Sequence, residues 1–223
     1  MRHVVAAILP LSLVVMISPI NIIPSILLLF SRRPLPNAVA FLVGFIAGVG
    51  AILVAFVALS SAFSLSVSNG GSGWSTALRL LLGIYLVFAA VRKFRGRPRE
   101  GESGSMPGWM DGLLEYSTPR SLAAGVVLGA GNPKNLVVGL AAALEITAAA
   151  LPVGQEAGSI ALYVLIGSIG VALPIVTVLV LGDRADEVLK GWRVWLTQNN
   201  ASVMSVLFFV FGIVLISQAI GSA

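Results

Sequence analysis

The chain has 223 residues, 57% of them hydrophobic and only 10% charged, with a net charge of +5. Soluble domains carry about 25% charged residues, so this composition is that of an integral membrane protein, and the basic residues sit in short loops between apolar stretches where membrane topology needs them, which argues against nucleic acid. There is no cysteine and the only histidine is His3, which removes disulfides and thiolate sites and leaves little for a metal centre, a cofactor or a histidine-based catalytic site.

Six apolar segments are long enough to cross a bilayer, which needs about 20 helical residues. They cover residues 4–30, 37–63, 75–94, 121–150, 158–181 and 201–220. An all-α, multi-pass membrane fold is expected. The first segment is read as a span and not as a signal peptide. It is too long, Pro19 and Pro24 interrupt it, and Arg32-Arg33 follow without a small-residue cleavage site. Arg32 and Arg33 lie in the connection between segments 1 and 2. Arg92, Lys93, Arg95, Arg97, Arg99 and Arg120 lie between segments 3 and 4, and Arg184, Lys190 and Arg193 between segments 5 and 6. The opposite side has only Arg2 and Arg79. The positive-inside rule puts those three connections in the cytoplasm and both termini outside the inner (plasma) membrane.

The long connection "RGRPREGESGSMPGWMDGLLEYSTPR" opens with Gly, Pro, Ser and charge, as a linker does. Residues 109–116 read either as solvated chain or as an interfacial helix with Trp109, Leu113 and Leu114 on the membrane. The basic run from Arg92 to Arg99 reads as a topology anchor, with anionic headgroup binding as a second possibility.

The two halves repeat. "SPINIIP" (residues 18–24) aligns with "NPKNLVV" (132–138), "LVGFIAGVGA" (42–51) with "LIGSIGVAL" (165–173), and "LGIYLV" (82–87) with "FGIVLI" (211–216), in the same order. This divides the chain into a three-helix repeat at 1–94, a cytoplasmic linker at 95–118 and a second repeat at 119–223. A repeat with an odd number of spans returns upside down, related to the first by a pseudo-two-fold axis in the membrane plane. Helices broken at corresponding positions then meet near the midplane and form a binding site.

Pro19, Pro24 and Pro133 are the candidate breaks. Asn21 lies eleven residues before Arg32, about 16 Å in, and Asn132 twelve residues after Arg120, about 18 Å in, at ~1.5 Å per residue. Asn21, Asn132, Lys134 and Asn135 are therefore the candidate substrate-binding residues, at one depth. The plain alternative is that the prolines kink two helices and the asparagines satisfy the exposed backbone. Lys134 costs about 2.5–3.5 kcal/mol at the centre of a span. Glu145 is about 16 Å further along the same helix, so backbone carbonyls, water or an acidic substrate group remain as its partners. Gly44, Gly48, Gly125, Gly129, Gly167 and Gly212 are read as close helix contacts, and Ser168 and Thr177 as packed or bonded to their own helix.

The Pro-x-Asn of segment 1 and "NPKN" of segment 4 resemble the lysine-exporter (LysE) superfamily of small six-span exporters. "PGWMDGLLEYSTPRSLAAGVVLGAGNPKNL" (107–136) and "WLTQNNASVMSVLFFVFGIVLI" (195–216) resemble the glycopeptidolipid- and sulfolipid-addressing proteins of mycobacteria and their actinobacterial relatives. The resemblance implies movement of lipids or other amphipathic molecules toward the cell surface. Amino-acid exporters of the superfamily usually carry Pro-Gly-Pro where this chain has Ser18-Pro19-Ile20-Asn21, which favours the lipid-addressing branch. Three readings follow: an exporter of an amphipathic, anionic, lipid-like substrate; a scaffold of a lipid export machinery that carries nothing itself; or an exporter of a small amino-acid-like solute. Membrane lipids and a second copy of the chain are further expected partners. An enzyme is not expected, because the spans hold no paired acids.

Overall fold

The computed structural model describes residues 2–62, 73–97 and 108–221, and these are helical with short connections. Phe63, Arg99 and the Gly/Pro/Ser-rich half of the long connection lie outside the described residues. The helices are α1 (Arg2–Met16), α2 (Pro19–Leu29), α3 (Pro34–Ala62), α4 (Gly73–Arg95), a 3-10 helix (Gly108–Glu115), α5 (Thr118–Gly131), α6 (Pro133–Ala148), α7 (Val153–Leu181) and α8 (Ala185–Gly221). By length and composition α3 and the stretch Val153–Ser217 are apolar enough to cross a membrane. So are two bent pairs if each counts as one span, α1–α2 at 48° and α5–α6 at 57°.

The sequence expectation of a break in segments 1 and 4 has a local cause. Proline has no N–H and is favoured at the first position of a helix. Ser18 and Asn132 stand just before Pro19 and Pro133 with extended backbones, φ/ψ of −88°/110° and −69°/118°. Each proline thus starts a new helix at an angle to the last. Pro24 is different. It lies inside α2, which continues through it to Leu29, so only two of the three candidate prolines stand at helix starts. Segment 6 also differs from its expected start at 201. Its helix begins at Ala185 and runs 37 residues, about 55 Å, longer than the roughly 30 Å hydrocarbon core.

Packing pairs the halves crosswise. α3 lies along α5 and α6, α7 along α1 and α2, and α4 along α8. Glycine sets the closest of these contacts. A Cβ at Gly44 would strike the Leu122 carbonyl, and one at Gly125 the Phe41 carbonyl. A Cβ at Gly83 would lie 2.9 Å from the Gly212 carbonyl, and one at Gly212 2.9 Å from the Gly83 carbonyl. Ser25 Oγ of α2 donates to the Val171 carbonyl of α7 at 2.8 Å. The buried Asn37, at the start of α3, joins three segments. Its Nδ2 donates to Ser31 Oγ and to the Tyr116 carbonyl, both at 2.9 Å, and its Oδ1 accepts from Thr118 Oγ1 at 2.9 Å. The 3-10 helix is held against α2 with Met110 and Leu113 buried. Leu113 therefore does not face the membrane with Trp109 and Leu114, which stay exposed. The tighter 3-10 repeat turns every third residue, 110 and 113, to the same side.

Candidate functional site

A proline at position i removes the donor that the carbonyl at i−4 would use in a continuous helix. Pro19 does this to Val15 and Pro133 to Gly129. In both halves the asparagine two residues after the proline reaches back. Asn21 Nδ2 donates to the Val15 carbonyl at 3.4 Å, and Asn135 Nδ2 to the Gly129 carbonyl at 3.2 Å. Pro-x-Asn is thus a break that carries its own replacement donor.

The carbonyl one residue earlier lies in the last turn of each first helix, where intrahelical partners run out. In α5 the same Asn135 amide serves it, donating to Leu128 at 3.1 Å. In α1 the corresponding carbonyl, that of Val14, takes its bond from Lys134 Nζ at 2.8 Å. The lysine on α6 thus crosses between the two breaks. A second bond crosses beside it, from Asn132 Nδ2 to Asn21 Oδ1 at 3.3 Å. Asn132 Oδ1 caps its own helix by accepting from the Lys134 backbone N–H at 3.1 Å.

All four candidate residues therefore gather at one junction. Asn21 and Asn135 are buried there, and Lys134 is only 7% exposed. An ammonium has three donors, and the carbonyl of Val14 takes one of them. Two buried polar atoms at the junction, Ser18 Oγ and Asn135 Oδ1, have no protein partner.

Two hollows meet on this junction. A cavity of about 620 Å³ is bordered by Asn132, Lys134, Arg92, Lys93, Thr197 and Asn200, with Tyr85 and Phe208 on its wall. A trough of about 720 Å³ runs on the other side of the break, bordered by one stripe of α5 together with Ile20, Trp109 and Tyr116. Asn132 and Pro133 border both. Of the four candidate residues Asn132 and Lys134 border the cavity, whereas Asn21 and Asn135 stand behind them and hold the backbone. Thr197 and Asn200 are not among the sequence candidates, and the sequence reads Arg92 and Lys93 first as a topology anchor and only second as a site for anionic headgroups. Their only sequence signal was polar character beside an apolar span, at the end of α4 and within "TQNN" of α8.

No curated protein and no solved structure matches the chain. The family model described as Sap, sulfolipid-1-addressing protein, matches residues 8–221. That match takes in both proline breaks, the crossing lysine and the cavity between α4, α6 and α8, and on it the chain belongs to the sulfolipid-1-addressing protein family.

Proposed function

We propose that the chain is a membrane exporter that moves an amphipathic, anionic, lipid-like molecule toward the cell surface, without chemistry or cofactor. The observation that carries this reading is the meeting of two unlike hollows at Asn132–Pro133. One side offers cations and amides, Lys134, Arg92, Lys93 and Asn200, and the other an almost wholly apolar trough. A charged headgroup suits the first and a hydrocarbon chain the second. Membership of a family of sulfolipid-addressing proteins points the same way.

Six spans in two inverted repeats, at 1–94 and 119–223 on either side of the 95–118 linker, would give such a site its motion. The reading is supported by the crosswise packing of α3 on α5 and α7 on α1. It is supported further by Gly83 and Gly212, aligned positions that meet each other reciprocally, as residues near a two-fold axis do. The matching Asn-to-carbonyl bonds at the two breaks add to it. These features also favour a relation to the lysine-exporter superfamily. With the termini outside, the cavity is lined at the cytoplasmic end of α4, by Arg92, Lys93 and Gly96. The arrangement is then the cytoplasm-open one. Substrate binds Lys134 through the ammonium donors that Val14 leaves available. Opening to the other side separates the breaks and parts the Asn21–Asn132 and Val14–Lys134 bonds.

The test is transport of labelled anionic lipids by purified protein in liposomes. Lys134→Met keeps most of the stem and removes the charge. Loss of a charge-assisted bond of about 1.5–3 kcal/mol predicts roughly a 10- to 100-fold drop in transport, with Lys134→Arg retaining part of it. Normal transport by a folded Lys134→Met protein would overturn the role given to the lysine. No transport of any anionic lipid by the unaltered protein would overturn the lipid-export reading.

A further inference from the structure

The trough has features that single out one occupant. Its floor is the α5 stripe Arg120, Ala123, Ala124, Val127, Leu128 and Gly131, which recurs every three to four residues and so forms one helix face. The opposite stripe, Ser121, Gly125 and Gly129, is buried, its glycines against α3. Small side chains at 123, 124 and 131 make the outer stripe a channel, with Trp109 and Tyr116 as one bank. Val127, on its floor, is 65% exposed.

From Arg120 to Gly131 the stripe is eleven residues, about 16 Å along the helix. Half of a roughly 30 Å hydrocarbon core is about 15 Å. That length matches the depth of one leaflet, with an arginine at one end of the trough and Asn132 at the other. Arg120 is exposed at its end of the trough.

We propose that this trough is a lateral portal: on entry it holds one acyl chain of an anionic lipid from the cytoplasmic leaflet with the lipid's charged group on Arg120, and the charged group then passes along it to the cavity at Asn132–Pro133. This deepens the export reading and shares its orientation, but it concerns how the lipid reaches the site and not whether it crosses. A boundary lipid touches apolar helix faces without regard to headgroup. A lipid in this trough is selected by charge, because its chain depth and its headgroup position are fixed together.

The experiment reads Trp109, which borders the trough, after Trp74, Trp192 and Trp195 have been replaced by Phe. The protein is reconstituted in phosphatidylcholine liposomes containing either phosphatidylglycerol or phosphatidylcholine with brominated chains, which quench indole on contact. One arginine beside an anionic headgroup enriches it about fivefold. Half-maximal quenching should thus need about fivefold less brominated phosphatidylglycerol than brominated phosphatidylcholine. Arg120→Gln should bring the two to parity and Arg120→Lys should keep the difference. Equal quenching in the Arg120 protein would mean boundary lipid only and overturns the proposal. Weak quenching by both, relieved when the protein is diluted in lipid, would mean that a second copy covers the trough, and overturns it too. If the Trp replacements do not reconstitute, lipid retained by the unaltered protein in native mass spectrometry replaces the optical reading, with the same expected preference and the same loss in Arg120→Gln. Selective quenching without any transport would sink the exporter reading and leave the portal standing. Transport with headgroup-blind quenching would do the reverse.

Discussion

Asn135→Leu is the most direct test of the self-compensating break. The substitution keeps the approximate shape of the side chain and removes both Nδ2 donors, which serve the Leu128 and Gly129 carbonyls at 3.1 and 3.2 Å. The Gly129 carbonyl has no backbone alternative, since its helical partner would be Pro133. An unsatisfied buried polar group costs about 1–3 kcal/mol, while side-chain bonds inside membrane proteins average about 0.6 and reach about 1.7 kcal/mol. Two bonds lost together should therefore cost about 1–3 kcal/mol. Part of this is offset, because leucine also removes the buried Oδ1 that has no partner. Asn135→Asp avoids that offset by keeping the acceptor, losing the donors and adding a charge, so it should be the more damaging of the two. Asn21→Leu removes one longer bond, at 3.4 Å, and the acceptor for Asn132, and should cost about 1 kcal/mol. Reversible unfolding in mixed detergent micelles measures all three. If Asn135→Leu unfolds within about 0.5 kcal/mol of the unaltered protein, smaller than one such bond, the asparagine does not support the break and the account of Pro-x-Asn fails.

Two further outcomes follow from the packing and from the orientation. Gly44→Ala drives a methyl group into the Leu122 carbonyl, and such overpacking costs about 1–3 kcal/mol. Gly154→Ala, where a Cβ meets nothing within 4 Å, should be close to neutral in the same unfolding assay. For the topology, the chain has no cysteine of its own, so single cysteines report without background. In intact cells an impermeant thiol reagent should label Gly154→Cys and leave Gly191→Cys untouched, and the reverse pattern would invert the orientation.

The sequence by itself determined the class of the protein and pointed to the breaks at Pro19 and Pro133, although it offered Pro24 as a third, which lies inside the continuous α2. Hydrophobic runs of membrane length and Pro-x-Asn at 19–21 and 133–135 are local features, and local features survive in a linear reading because their physics acts within one or two helical turns. Even the filling of the Val15 and Gly129 carbonyls is local, six residues from each asparagine. The cost of a buried lysine at 134 was legible too, since it depends only on its place in an apolar helix. Its partner was not. Val14 lies 120 residues away, and only the docking of α6 against α1 brings that carbonyl within reach. The same holds for the cavity. Arg92 and Lys93 on α4 and Thr197 and Asn200 on α8 read as polar flanks of separate spans until α4 and α8 close on each other over Gly83 and Gly212. Leu113 turned inward because the 3-10 helix docks on α2, a choice that apolar character alone leaves open between lipid and protein. Apolar side chains say that water is excluded and do not say what replaces it. The tertiary structure decides that, by fixing which carbonyl, which helix face and which hollow each side chain meets.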